Sequence, residues 1–277
     1  MIMASKVVIL AGGMISALLA NITLSLKHPK LENTDLPIKN LPKHLEGLKI
    51  LLLADIHNKS ITDIDVNIWK TVFKEKFDIA VIAGDMTKEC FDQVLPLRKP
   101  LSALSKRVPV FFVDGNHEKA HFAEMKRFME CCGIMVADDR KIKLEINGGP
   151  IEVLGIRDYY YQRRHNFKSF KRLMENEVKC GFRLLLSHQP QIIDALAHFK
   201  DILVLSGHTH GGQIRLPFVK TIIAPGQGFF PKYGAGFYEV KGCYLYVSKG
   251  IGASRIPLRL FNRPEVAVLT LQRCKND

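Results

Sequence analysis

Leu48-Lys49-Ile50-Leu51-Leu52-Leu53-Ala54-Asp55-Ile56-His57 decides how this 277-residue chain is read, because an aliphatic run stops abruptly at an acid and a histidine. The same transition occurs four more times. The runs Phe77 to Ala83, Arg107 to Val113, Phe182 to Ser187 and Asp201 to Ser206 lead respectively into Gly84-Asp85, Gly115-Asn116-His117-Glu118, His188 and Gly207-His208-Thr209-His210-Gly211. Their length and aliphatic content are those of strands buried on both faces. In layered α/β folds the loops beyond the carboxyl ends of the strands form the binding crevice, so clusters far apart in sequence converge on one site. Asp, Asn and His converging there predict a metal centre.

Working outward, Asp65 to Lys76 and Val94 to Ser105 read as helices at the spacing of βα units, which predicts parallel pairing of the first strands. Beyond Gly133 the pattern changes. Lys141 to Ile146 alternates, a Gly148-Gly149-Pro150 turn follows, and Ile151 to Ile156 completes an antiparallel hairpin. Gly236 to Val240, Cys243 to Ser248 and Val266 to Leu271 add short strands between Gly and Pro. The predicted fold class is mixed α/β: sheets flanked by helices in one domain over residues 47–277, with 47% hydrophobic residues to fill its core.

Val7 to Leu26 is twenty residues without a formal charge, about the length that spans a hydrocarbon core. No small-residue cleavage pattern follows it, so residues 1–26 are expected to be an uncleaved transmembrane anchor and 27–46, with three prolines and scattered charges, a linker. Lysines 27, 30, 39 and 43 follow the segment and only Lys6 precedes it, which predicts a single-pass membrane protein with its body on the cytoplasmic side. Six cysteines without paired-ligand spacing agree with reduced thiols. The formal net charge of +13 favours anionic partners. Arg-Gly repeats and RNA-binding aromatic signatures are missing from the sequence, which argues against specific nucleic-acid binding.

Seven groups count as candidate ligands: Asp55, His57, Asp85, Asn116, His188, His208 and His210. Seven is too many for one four-coordinate zinc, whereas two ions sharing a bridging carboxylate use them all. Asp85, beside flexible Gly84, is the expected bridge. Oxygen and imidazole donors without thiolate suit Mn, Fe or Zn. Two divalent ions less two aspartates and a hydroxide leave a net charge of roughly +1, which attracts phosphate oxygens.

These motifs resemble the calcineurin-like metallophosphoesterase superfamily over most of residues 48–271. Leu205 to Pro217, LSGHTHGGQIRLP, and Tyr246 to Leu260, YVSKGIGASRIPLRL, are similar more narrowly to the membrane-anchored bacterial phosphodiesterases of the YaeI and YkuE type. The resemblance implies a four-layer αββα sandwich, with one ion on Asp55, His57, Asp85 and His210 and the other on Asp85, Asn116, His188 and His208. It implies hydrolysis of phosphodiester or pyrophosphate bonds by a metal-activated hydroxide, and it includes enzymes acting on lipid-linked substrates such as UDP-2,3-diacylglucosamine. Lys59 stands where the family usually has glycine. His117, beside Asn116 but surplus to coordination, suits a general acid for the leaving oxygen.

Three other readings compete. His117-Glu118-Lys119-Ala120-His121 is a literal H-E-x-x-H, the zinc-protease pattern, which requires both histidines on one helix. A metal-binding scaffold that keeps the fold without catalysis is the second. The third concerns Tyr159 to Lys179, whose aromatics alternate with basic residues: a solvated helix or an insertion touching lipid head groups.

Overall fold

The computed structural model describes residues 29–57, 63–157, 168–175, 181–196, 198–212, 214–216, 220–224, 227–252 and 259–274, together with Gly13 and Ser16. In chain order the strands are β1 (Lys30–Ile38), β2 (Lys49–Leu53), β3 (Ile79–Ala83), β4 (Val110–Val113), β5 (Met135–Val136), β6 (Arg140–Ile146), β7 (Gly149–Gly155), β8 (Arg183–Leu186) and β9 (Ile202–Ser206). Two small hairpins follow, β10 (Arg215–Leu216) with β11 (Lys220–Thr221) and β12 (Ile223–Ala224) with β13 (Gly228–Phe229). The chain ends on β14 (Gly236–Val240), β15 (Cys243–Val247) and β16 (Glu265–Arg273).

The larger strands form two six-stranded sheets, ordered β1-β16-β2-β3-β4-β5 and β14-β15-β9-β8-β7-β6. From β2 to β5 all pairings are parallel, as are those linking β7, β8, β9 and β15. The period-two alternation of each strand divides the core into three. Leu52, Val81, Phe111, Leu184 and Leu205 point between the sheets. Leu51, Leu53, Ile82 and Phe112 point outward onto the helices Asp63–Lys74, Arg98–Ser105 and Phe122–Cys131. On the opposite outer face, Leu185 and Val204 pack under Phe170 of the helix Lys168–Met174 and Ile192 of the 3-10 segment Pro190–Leu196. Each central strand is therefore covered on both sides, which explains its near-continuous apolar sequence. The layers run helix, sheet, sheet, helix.

The sequence expectations need three adjustments. Residues 27–46 are not simply a linker, because β1 occupies Lys30–Ile38 and pairs along its whole length with β16. Leu36 and Ile38 are buried while Asp35 and Pro37 face out, so half-buried alternation on an edge strand resembles a charged, proline-bearing tether. The β6–β7 turn is Asn147-Gly148, one residue earlier than expected, with φ of 51° and 75° as a two-residue primed turn requires. Val94 to Ser105 divides into a 3-10 turn over Phe91–Leu97 and a short α-helix. The expected anchor, Lys59 and most of the Tyr159 to Lys179 segment lie outside the described residues. Among the described residues, no helix is long and apolar enough to cross a membrane.

Candidate metal centre

The carboxyl ends of β2, β3, β4, β8 and β9 all open at one end of the two sheets, and there the backbone leaves the extended conformation in a shared way. Asp55, His57, Asp85, His208 and His210 have φ of 50°, 43°, 53°, 71° and 51°. Left-handed backbone costs an L-residue roughly 1–2 kcal/mol, with Asp, Asn and His tolerating it best. Five such residues in one cluster are backbone strain concentrated at a functional site. The loops are laced together: Asp55 N–H donates to Gly84 O at 3.1 Å, His57 N–H to Asp85 O at 3.0 Å and Gly207 N–H to His188 O at 3.0 Å. Glycine is required where these loops touch. A Cβ on Gly207 would stand 2.5 Å from Asp55 Oδ2, and one on Gly115 would collide with the Asp85 carboxylate.

Six of the seven predicted ligands gather here with His117, and the seventh, Asn116, directly precedes His117 in the loop after β4. Three groups of donor atoms, Asp55/His57/His210, His57/Asp85/His117 and Asp85/His188/His208, each lie within 4.8 Å of one another. Asp85 Oδ2 is 3.1 Å from His188 Nε2, 3.7 Å from His57 Nε2 and 3.9 Å from His117 Nε2, so one carboxylate links both halves of the cluster. His57 Nε2 lies 3.1 Å from His210 Nε2, and His188 Nε2 lies 3.3 Å from His208 Nδ1. Asn116 Oδ1 is buried without a hydrogen-bond partner.

Hydrogen bonds fix the rings. His57 Nδ1–H donates to Thr87 O at 3.1 Å, His188 Nδ1–H to Ala83 O at 2.7 Å and His117 Nδ1–H to Lys88 O at 2.7 Å, so each ring turns its Nε2 into the cluster. Asp55 accepts the His208 N–H at 3.0 Å. Burial lowers His57 to about 4 against the opposing pull of Asp85, and burial lifts Asp55 to about 7. Burial would lower His188 too, but the neighbouring Asp85 and Asp55 carboxylates outweigh it and lift His188 to about 10. Asp85 is held far below the carboxylate range because His188 and His57 overcome its burial. The Asp85 carboxylate and the His188 imidazole thus favour each other's charged forms. Oxygen and imidazole donors with fixed tautomers, plus an orphaned amide oxygen, fit divalent transition ions.

Two contributors went unassigned in the sequence. Glu118, fully buried, accepts four backbone N–H groups: Asp85 at 2.8 Å and Gly115 at 2.7 Å on Oε2, Met86 at 2.7 Å and Thr87 at 3.3 Å on Oε1. It pins the loop that carries Asp85. Arg259 is 2% exposed, sets an Nη 3.3 Å from His210 Nδ1 and leaves Nε and the other Nη without a partner. The sequence signal for both was a charged residue amid glycines or beside a ligand, but only the fold reveals what each faces. The protease pattern fails here. His117 lies in a loop, His121 is the residue before the helix Phe122–Cys131, and the Glu118 carboxylate is committed to backbone.

The profile of the calcineurin-like phosphoesterases matches residues 48–212, from β2 through the Gly207 to Gly211 loop. The chain belongs to this family. It is 34% identical to a Helicobacter pylori metallophosphoesterase over 89% of its own length and 65% of that protein's, and 30% identical to the metallophosphoesterase YkuE of Bacillus subtilis over 87% and 86%. A Bos taurus protein named transmembrane protein with metallophosphoesterase domain is 30% identical over 88% of this chain and 57% of that protein. The chain therefore spans less than two thirds of the Helicobacter and bovine relatives, and most of YkuE.

Proposed function

We propose that this phosphoesterase hydrolyses phosphodiester or pyrophosphate bonds in an anionic, lipid-linked substrate, such as a nucleotide-linked acylated sugar of the UDP-2,3-diacylglucosamine kind or a phospholipid. Two divalent ions, Mn, Fe or Zn, would be held by Asp55, His57, Asp85 and His210 and by Asp85, Asn116, His188 and His208. The reading rests chiefly on one observation: a single carboxylate, Asp85, stands within 3.7 Å of imidazole nitrogens belonging to both ligand groups. When bound, such ions lower the pKa of water and neutralise charge on phosphoryl oxygens.

The chain's own side chains supply the rest. His117 has one third of its side chain exposed, against 2% for His57, so it is the imidazole of the cluster that faces incoming substrate. Its Nδ1–H is anchored on Lys88 O, which aims Nε2 at the cluster, and in the protonated ring Nε2 delivers a proton to the leaving oxygen. Arg259, buried beside His210 with N–H groups that lack a hydrogen-bond partner, adds a positive charge that the Asp55 and Glu265 carboxylates support, and it favours an anionic substrate. Val7 to Leu26 would hold the body at the cytoplasmic face of the cell membrane, within reach of amphiphiles.

The test is hydrolysis of bis-p-nitrophenyl phosphate by purified protein with added manganese. Wild type is expected to turn over and Asp85→Ala to lose at least about 10³-fold. Equal rates in the two would leave the non-catalytic scaffold as the better account, and a protease would instead lose its activity with His121→Ala.

A further inference from the structure

His57, His117 and His188 each give an Nδ1–H to a backbone carbonyl, but His210 meets a cation at that position. An Arg259 Nη lies 3.3 Å from His210 Nδ1 in hydrogen-bonding geometry. A guanidinium stays charged and only donates, so His210 Nδ1 accepts and the ring carries its proton on Nε2. That Nε2 is 3.1 Å from His57 Nε2, which is free to accept because His57 keeps its own proton on Nδ1. The donors run one way: Arg259 to His210, His210 to His57, and His57 to the Thr87 carbonyl.

Arg259 is held where it stands. It is buried, and the Nη that meets His210 also donates to Gly250 O at 3.4 Å and to Gly252 O. Those glycines belong to a loop fastened to the first ligand, since Ile251 N–H donates to Ala54 O at 3.0 Å and Gly252 N–H to Asp55 O at 2.7 Å. A Cβ on Gly250 would stand 2.7 Å from Asp55 Cβ, so the guanidinium and the Asp55 carboxylate flank the same loop. The Asp55 and Glu265 carboxylates support the charge of Arg259, and Asp55 is thereby shared between a fixed cation and any ion the centre takes up. The other half of the centre is arranged the opposite way. There His188 has the Ala83 carbonyl behind it and the Asp85 and Asp55 carboxylates beside it, all of which favour a cation.

An imidazole that ligates a metal ordinarily donates its other N–H to a carboxylate or carbonyl, and such partners are worth about 10–100-fold in metal affinity. Arg259 reverses the sign of that support. Coordination through His210 Nε2 calls for the Nδ1–H form of the ring, which would set N–H against N–H, and the guanidinium charge repels an incoming cation as well. We infer that Arg259 is a positioning residue that acts through His210 to make the ion on Asp55, His57 and His210 the weaker of the two. One ion then stays with the fold while the other exchanges with the supply of metal. The inference rests on the two-ion assignment above and deepens it: hydrolysis follows the concentration of free ion as well as that of substrate.

The experiment titrates the full chain, stripped with EDTA, with manganese at fixed pH and counts bound ion by elemental analysis after dialysis. Wild type is expected to bind in two steps, the weaker at least about 10-fold above the tighter in Kd, and Asp55→Asn to abolish the weaker step alone. Arg259→Gln keeps a donor for the glycine carbonyls and loses the charge, so the weaker step is expected to tighten by about 10-fold or more. Arg259→Lys keeps the charge and is expected to stay within about 3-fold of wild type. A weaker step that loosens in Arg259→Gln would make Arg259 an ordinary support and overturns the inference. So does tightening in Arg259→Lys as large as in Arg259→Gln. Two equal steps in wild type strike this inference alone, whereas no bound manganese at all strikes the two-ion reading and this inference with it. A second readout needs no change at position 259. In EDTA-treated protein isotopically labelled at the imidazole nitrogens, with His210→Gln to assign the ring, nuclear magnetic resonance is expected to find the His210 proton on Nε2 and the His57 proton on Nδ1. A His210 proton on Nδ1 overturns the inference whatever the variants do.

Discussion

Replacing Glu118 by glutamine keeps the side chain's shape and removes one acceptor, which makes it a sharp probe of what holds the bridging carboxylate in place. The native carboxylate accepts two backbone N–H groups on each oxygen, all from the loops that carry Asp85 and Asn116. Glutamine has one oxygen, so either rotamer turns an NH₂ toward two N–H donors. Hydrogen bonds to a charged group contribute about 1.5–3 kcal/mol each, so losing two costs roughly 3–6 kcal/mol before relaxation. That is a large share of the 5–15 kcal/mol by which domains are commonly stable. With a urea slope of about 2–3 kcal/mol/M, the midpoint of the EDTA-treated variant is expected to fall by about 1–3 M. Bound manganese, counted by elemental analysis after desalting, is expected to fall as well, because Asp85 loses its backbone register. A midpoint within about 0.3 M of wild type with full metal content would refute the reasoning and reduce Glu118 to a bystander.

Other outcomes follow from the same geometry. His117→Ala is expected to retain both metals and to slow turnover by about 10²–10⁴-fold, with the smallest loss on esters of acidic phenols that need no protonated leaving group. Loss of metal would instead make His117 a ligand. Gly207→Ala drives a Cβ onto Asp55 and Ala54, so destabilisation of about 1–3 kcal/mol and reduced metal content are expected; normal content would contradict the packing. Because His188 in the metal-free fold titrates at about 10, above its ordinary value, it is protonated at pH 8 and must lose that proton to coordinate. Manganese binding at pH 8 is then expected to release about one proton or more into weakly buffered solution, and affinity to rise with pH; binding without proton release would refute this.

The site was legible in the sequence because its strands are covered on both faces. Such strands cannot carry polar residues internally, so Asp55, Asp85 and His188 stand out as interruptions at the ends of aliphatic runs. β1 was not legible for the converse reason. An edge strand buried on one face alternates, and with Asp35 and Pro37 on its open side only Leu36 and Ile38 mark the core. Glu118 and Arg259 were hidden differently. A glutamate bound to four amides and a guanidinium buried beside an imidazole have the same letters as surface charges, and their partners lie up to 49 positions away. The wrong H-E-x-x-H reading could be discounted from the turn residues before it, while the destination of the Glu118 carboxylate required the fold.

The left-handed backbone at positions 55, 57, 85, 208 and 210 also limits what these loops can become. A lineage that abandoned hydrolysis would be free of the chemistry but not of the dihedral angles. Valine, isoleucine and threonine would still be excluded there, and drift would favour asparagine, glycine or the original residues. Inactive descendants of this architecture should therefore keep a ring of small amide-bearing or glycine positions, so that a scaffold retired from catalysis still bears the imprint of the ions it once gripped.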